Sequence, residues 1–337
     1  MNNTDSSISA AEAAELASFA MLLEVCAKNK PGNVDREHDY ADTRLEHFLC
    51  SATRARPVFE QIDELPLGEA MYDAVLRTNN HSGGNTHFGA FILLLPLLKG
   101  RGIEGAKVCV KETTVEDAVL FYQAFGLTAV RVNKTSEMDI NDPATLDKLR
   151  ADGTTMYDVM EFSAPNDMVC REWINGFELT RTFADKLKAA GGASEIPTVF
   201  MEMLASYPDT FVIKKLGTKA AEELRTYADE ICRRCREGLE QTKKFAENLK
   251  YSEGAAHLTA LLKEKIASHP KASLVTKLGA AAASELKTRI SRIEDNELSA
   301  EILDAWCLTE GINPGSLADI CIAGVFVALL EGWNWDS

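Results

Sequence analysis

Apolar residues recur at intervals of three and four along most of the chain, the period of amphipathic helices, with little of the strict alternation of strands. Ser9-Ala10-Ala11-Glu12 has the spacing of a capping box. Behind it Leu16, Phe19, Ala20, Leu23, Cys26 and Ala27 mark one face of a first helix, which should stop near Lys30 because Pro31 and Gly32 follow. A polar loop over 33–42 leads to a second helix with Leu45, Phe48, Leu49 and Ala52 on one face, then a third over about 67–76. Residues 79–85 are turn-rich. From Thr86 onward the chain is apolar on every side, through Phe88, Ala90, Phe91, Ile92, Leu93, Leu94 and Leu95, as in a helix buried at the centre of a bundle.

Thr114 should cap a helix over 115–125. The β-branched stretches 107–110 and 129–132 alternate too briefly for strands and are read as helix ends or connectors. Residues 152–188 read as helix, broken around Ala164-Pro165, and Gly191-Gly192 marks a boundary. A short helix over 198–206 precedes a turn at Pro208-Asp209-Thr210, and a long one runs over 218–249. Further helices are expected over 253–267, 271–292 and 297–309. Ile312-Asn313-Pro314-Gly315 then breaks the chain before Ser316 opens an apolar C-terminal helix through Ile320, Ala323, Phe326, Val327 and Leu330. The expected fold is all-α: one multi-helix domain of about a dozen helices over 9–332, compatible with two lobes meeting near Gly191, behind a disordered N-terminus over 1–8.

Composition narrows the function classes. The 337 residues carry 36 Lys and Arg against 51 Asp and Glu, a net charge of −15 with no basic stripe, which argues against a nucleic-acid partner. The longest apolar run, residues 90–95, is too short to span a bilayer, and no signal-peptide pattern opens the chain, so no membrane partner and a cytoplasmic location are expected. The eight cysteines mostly lie in apolar helical patterns and read as small buried residues of a reducing compartment. Cys232-x-x-Cys235 falls within a helix, among Arg233, Arg234 and Arg236. No second such pair or suitable histidine pair follows, so zinc is poorly supported there.

Four stretches place polar residues where a bundle does not require them. They are Lys30-Pro31-Gly32-Asn33-Val34-Asp35-Arg36, His81-Ser82-Gly83-Gly84-Asn85-Thr86-His87-Phe88-Gly89, Asp209-Thr210 with Lys214 and Lys215 close behind, and Asn313-Pro314-Gly315-Ser316-Leu317-Ala318-Asp319. Glycines admit a ligand to the backbone, and free N–H groups at a helix start favour anions. Each stretch also has a plainer reading. Asn85 and Thr86 are good N-caps, His87 reads as a satisfied core histidine one turn inside its helix, Lys30-Pro31-Gly32 as a helix stop, and Asp209 as a cap. Asp319 is harder to set aside: one turn into an apolar helix, a buried carboxylate needs a metal ion or a Lys beside it. Nucleotide P-loops, dinucleotide fingerprints, nucleophile elbows and zinc-protease motifs are missing, and His38-Asp39 lacks the earlier histidine that an HD-type phosphohydrolase needs.

In this order the four stretches resemble the triphosphoribosyl-dephospho-CoA synthase family: a KPGxVD loop at Lys30–Asp35, an NTHxG junction at Asn85–Gly89, a DT pair at Asp209-Thr210, and an NPGxxAD motif at Asn313–Asp319. The resemblance runs from about residue 12 to about 330, and its branch is archaeal-type, since 107–180 does not look like the bacterial enzymes. It implies an all-α enzyme that joins the triphosphoribosyl part of ATP to the ribose of dephospho-CoA and releases adenine, giving the precursor of a prosthetic group on citrate lyase and malonate decarboxylase. The chain departs from the family pattern at Phe88, where NTHKG has Lys, and after the DT pair, where Lys214 and Lys215 stand in the region of an Arg.

Displacing adenine from C1′ builds positive charge on the ribose ring, so the chemistry calls for a carboxylate near the ring, a base for the attacking hydroxyl, and Mg²⁺ with cations for the triphosphate. On this resemblance Asp35 and Asp319 are expected to hold Mg²⁺ or stabilise the cation, and His87 or Asp209 to act as the base. Lys30, Lys214 and Lys215 are expected to bind phosphate, and Gly83, Gly84, Asn85, Thr86 and Asn313 to cradle the nucleotide. ATP and the acceptor are the expected small-molecule partners, with assembly into a homo-oligomer left open. The competing readings are a different nucleotide or cofactor ribosyl transfer in a one-carbon cofactor pathway, a non-catalytic helical nucleotide-binding protein, and a scaffold whose clusters are only caps and turns.

Overall fold

The computed structural model describes residues 8–84, 86–128, 144–244, 253–269, 271–292 and 299–337. The expected disordered segment 1–8 lies outside them except for its last residue, as do the stretch 129–132, the end of the long helix at 245–249, and Asn85. The chain divides into two compact units. The first comprises Met1–Val25, Leu45–Ala193 and Asp319–Ser337, the second Cys26–Arg44 and Ser194–Ala318.

The regular elements among the described residues are helices. They are α1 (Ala10–Cys26), α2 (Leu45–Glu60), α3 (Leu67–Thr78), α4 (Phe88–Lys99), α5 (Ile103–Lys111), α6 (Val115–Gly126), α7 (Ala144–Asp152), α8 (Met156–Ser163), α9 (Met168–Asn175) and α10 (Glu178–Ala190), followed by α11 (Ile196–Ser206), α12 (Thr210–Leu216), α13 (Thr218–Lys244), α14 (Glu253–Ser268), α15 (Lys271–Leu278), α16 (Ala280–Arg292), α17 (Ala300–Glu310) and α18 (Gly315–Leu330). The count exceeds a dozen because single residues break runs whose apolar period continues. Gly176 (φ +78°) ends α9 and Gly279 (φ +82°) separates α15 from α16. A glycine in the left-handed region closes a helix in one residue and leaves no gap in the pattern.

In the first unit α4 forms the middle of the core. Phe88 and every residue from Ala90 to Leu98 are buried, which is why this helix shows no polar face. It packs on α3, α5 and α9, and the Trp173 indole N–H donates to the Ile92 carbonyl at 2.9 Å. α10 and α18 approach so closely that a Cβ on Gly324 would stand 2.7 Å from the Phe183 side chain. Two helix starts follow the sequence signal: Ser9 and Glu12 exchange both bonds of a capping box at α1, and Thr114 and Asp117 do so at α6.

α1 corrects one expectation. It stops at Cys26, a turn before Lys30, and its buried face is Ala13, Ala14, Ala17, Ser18, Met21, Glu24 and Val25. Ala20, expected on this face, is buried with them; the small residues admit close neighbours, while Phe19 is half-buried with its ring edge-on to Trp335 at 5.1 Å. In the second unit α11 and α12 pack on α13, and α17 packs on α13, α14 and α16. Trp306 of α17 is almost fully buried there, edge-on to Tyr227 at 5.1 Å. None of the described helices is long and apolar enough to cross a membrane.

Candidate active site

The second unit holds two of the four polar stretches and the start of a third. Asp35, 2 % exposed, closes its own loop: Oδ2 accepts the Asn29 N–H at 3.0 Å, and Oδ1 accepts those of Glu37 at 2.7 Å and His38 at 3.2 Å. Gly32 sits at φ +74°, where a Cβ would fall 2.2 Å from the Ile312 carbonyl oxygen, so only glycine lets this loop lie against the residue preceding Asn313. The same Gly32 donates its N–H to Asp304 Oδ1 at 2.9 Å and accepts from the Tyr40 hydroxyl at 2.7 Å. Burial first, and then the charge of Asp304, push the Tyr40 phenol and the Cys307 thiol well above their usual values.

Asp209 is fully buried. Its Oδ1 accepts the N–H groups of Phe211 and Val212 at 2.8 and 3.0 Å, capping α12, and its Oδ2 accepts the Leu317 N–H at 2.8 Å, in the first turn of α18. Beside it the Thr210 and Ser316 hydroxyls lie 3.2 Å apart. The DT pair therefore fixes the N-terminus of the helix that the NPGxxAD motif opens. With its two oxygens accepting three backbone N–H groups, Asp209 has the geometry of a clamp. Lys30 is also fully buried. Lys214 and Lys215 are exposed in the last turn of α12, with the Lys215 ammonium 4.1 Å above the Phe211 ring. Asn313 Oδ1 is covered and has no hydrogen-bond partner among the described residues.

The first unit holds the remaining stretch and Asp319. α4 begins at Phe88 with His87 as its N-cap and no side-chain cap bond, so His87 stands at the helix boundary instead of one turn inside, and Thr86 is not the cap. The His87 ring is buried with Nδ1 2.8 Å from Ser51 Oγ. Half-buried Asp319 fills the space that Gly89 leaves: a Cβ there would fall 2.0 Å from its Oδ2. The carboxylate thus lies against the first turn of α4, the positive end of that helix. Gly83 serves His47 in the same way, with a Cβ position 2.1 Å from Nδ1. His47 stacks on His81 at 4.8 Å, and the Gly83 N–H donates to His81 Nδ1 at 3.2 Å. Burial, then the charges of His47 and Arg54, lower the His81 pKa. Gly84 at φ +64° has open space where a side chain would go.

Phe88 points into the core, its ring centroid 4.0 Å from Phe125 and 5.6 Å from Phe121. Lysine there would lose this packing and bury an ammonium. We expect Phe88→Lys to cost about 3–5 kcal/mol, read as a lower urea midpoint, with no gain in turnover. An unchanged midpoint with faster turnover would show that position 88 faces substrate.

Sequence reasoning missed Asp304 and weighed His38 only beside Asp39. Asp304 carried a usable signal, an acid within the apolar run Ile302-Leu303-Asp304-Ala305-Trp306 of α17, the same signal that marked Asp319. Among the described residues no group of three His, Cys, Asp or Glu side chains could hold a metal ion. Asp35 spends both oxygens on backbone N–H groups, so the metal expectation does not fit it. The cysteines are all free; burial above all raises Cys232 to about 11, and Cys235 is exposed on the same helix, which leaves this pair without chelating geometry.

A family model described as ATP:dephospho-CoA triphosphoribosyl transferase matches residues 10–260 and 251–337. Among solved structures, an Archaeoglobus fulgidus protein described as a candidate triphosphoribosyl-dephospho-CoA synthase superposes with a TM-score of 0.57 at 21 % identity, over 85 % of this chain and 100 % of that one. At that identity the likeness speaks for the fold. None of the curated proteins matches the sequence.

Proposed function

We propose, for a chain that belongs to the ATP:dephospho-CoA triphosphoribosyl transferase family, that the polar stretches act on the ribose and triphosphate of ATP. The enzyme is a transferase of that family, with ATP as a substrate and dephospho-CoA as the acceptor. A ribose hydroxyl of the acceptor attacks C1′ of ATP, and the bond from C1′ to adenine breaks.

The observation that carries the assignment of residues is Asp319 against the start of α4. A lone phosphate at that helix end would meet the carboxylate as well as the helix dipole, and like charges at such range repel. A carboxylate placed there suits either the positive ribose ring of the transition state or a divalent cation shared with the triphosphate. The donor set fits the second use only with substrate phosphates as the other ligands, because no cluster of three ligating side chains exists among the described residues. Mg²⁺ bound in this way would draw charge from the triphosphate, with Asp319 as its protein ligand.

The remaining roles belong to the chain itself. Lys214 and Lys215 face solvent and can meet the polyphosphate. Asn313 Oδ1 can accept from a nucleotide hydroxyl or amino group. Gly84 and Thr86 border the loop before α4 where backbone can approach ligand. Asp209 positions α18, and Asp35 positions the loop that carries it. A cytoplasmic location suits a transferase that works on ATP and dephospho-CoA.

Two labelled forms of ATP test the reaction. Label in the adenine ring should emerge as free adenine, and label in the γ-phosphate should follow the acceptor. Release of the γ-label as inorganic phosphate with adenine still attached would make the protein a phosphohydrolase instead.

A further inference from the structure

The displacement needs a proton acceptor for the attacking hydroxyl, and the second unit contains a side chain arranged for it. The His38 side chain is 6 % exposed, and its Nδ1 lies 3.3 Å from Asp35 Oδ1 and 3.6 Å from Asp304 Oδ2, two carboxylates 1 % and 2 % exposed. Neither ring nitrogen of His38 makes a hydrogen bond among the described residues. A covered imidazole without hydrogen bonds is uncommon in a folded protein, and such groups call for a chemical explanation. Its surroundings are built with care. Asp35 holds the His38 N–H, and the His38 carbonyl accepts the Asp35 N–H at 3.2 Å. Asp304 reaches the same loop through Gly32.

We propose that His38 is the general base of the transfer, with Asp35 and Asp304 as its positioning residues; this rests on the family reaction proposed above. Two carboxylates on the Nδ1 side draw the ring hydrogen to Nδ1, leaving Nε2 as the lone-pair nitrogen that takes the proton. The step balances. The acceptor hydroxyl gives its proton to Nε2 as its oxygen bonds to C1′. The bond between C1′ and N9 breaks with its electron pair going to adenine, which takes a proton from water, and the imidazolium returns its own proton to solvent. Neither base candidate suggested by the sequence has this geometry: Asp209 spends both oxygens on backbone donors, and His87 pairs with a serine where His38 faces two carboxylates.

His38→Gln and His38→Ala test the assignment, read by adenine release from Mg-ATP. With dephospho-CoA both variants should lose about 10²–10⁴-fold in kcat, with KM for ATP changed less than about threefold and the wild-type melting temperature kept. Azide, an anionic nucleophile with no proton to surrender, should restore adenine release in His38→Ala. A folded His38→Gln enzyme within about threefold of wild-type kcat overturns the proposal, and so does a variant whose adenine release azide leaves unchanged. Wild-type protein that frees no adenine with either nucleophile overturns the family reaction itself, and the base with it.

Discussion

Asp319→Asn is expected to lower kcat by about 10³-fold, a loss of the size seen when one electrostatic contact to a transition state is removed. Its thermal midpoint should stay near that of wild type. The amide has the shape of the carboxylate and still fits over Gly89, so packing against α4 is kept and only the charge is lost. A half-buried polar side chain exchanged for its isostere moves stability by less than about 1 kcal/mol. The activity loss therefore has one source, the missing negative charge beside the ribose ring or the metal-bound triphosphate. Full activity in a folded Asp319→Asn enzyme would remove this residue from the site. A fall in midpoint that tracks the fall in activity would make the contact with Gly89 a structural one.

Asp209→Ala should act in the opposite way. Its carboxylate accepts three backbone N–H groups, two at the start of α12 and one at the start of α18, with no solvent to replace it. A stranded buried donor costs about 1–3 kcal/mol, and relaxation around neighbouring ones brings the total to about 3–5 kcal/mol. That is a large part of the ~5–15 kcal/mol that keeps a protein folded. The expected outcome is an early urea transition, with activity lost in proportion to the unfolded fraction and recovered in part by stabilising osmolytes. Asp209→Asn keeps one acceptor and should fall between. A variant with unchanged stability and no turnover would return Asp209 to the role of base.

The pair also shows what the sequence could and could not reveal. The apolar run from Phe88 to Leu98 announced a central helix because nothing polar interrupts it. The charge of Asp319 within an apolar helix singled it out, and the structure sets it against Gly89. Asp35 and Asp209 were legible as members of motifs, but whether a motif carboxylate faces substrate or backbone depends on where its neighbours' N–H groups point, and one-dimensional spacing does not contain that. Asp35 organises its loop through three backbone N–H groups, and alanine there should cost stability as well as activity. His87 was placed too deep because the pattern marks apolar residues and not the first hydrogen-bonded turn. Phe88 stood out as a departure from the family's Lys, and its ring belongs to an aromatic cluster with Phe121 and Phe125. Asp304 went unread and His38 was weighed only beside Asp39, because their meaning lies in a meeting between residues 266 positions apart in the chain.

The most direct test of the account is the mass of the acceptor after incubation of the purified, folded protein with Mg-ATP and dephospho-CoA. Membership of the family predicts an acceptor heavier by one triphosphoribosyl group, accompanied by an equal amount of free adenine. An acceptor of unchanged mass with ATP intact, from protein that binds Mg-ATP, would contradict the transfer and leave a nucleotide-binding helical protein in its place.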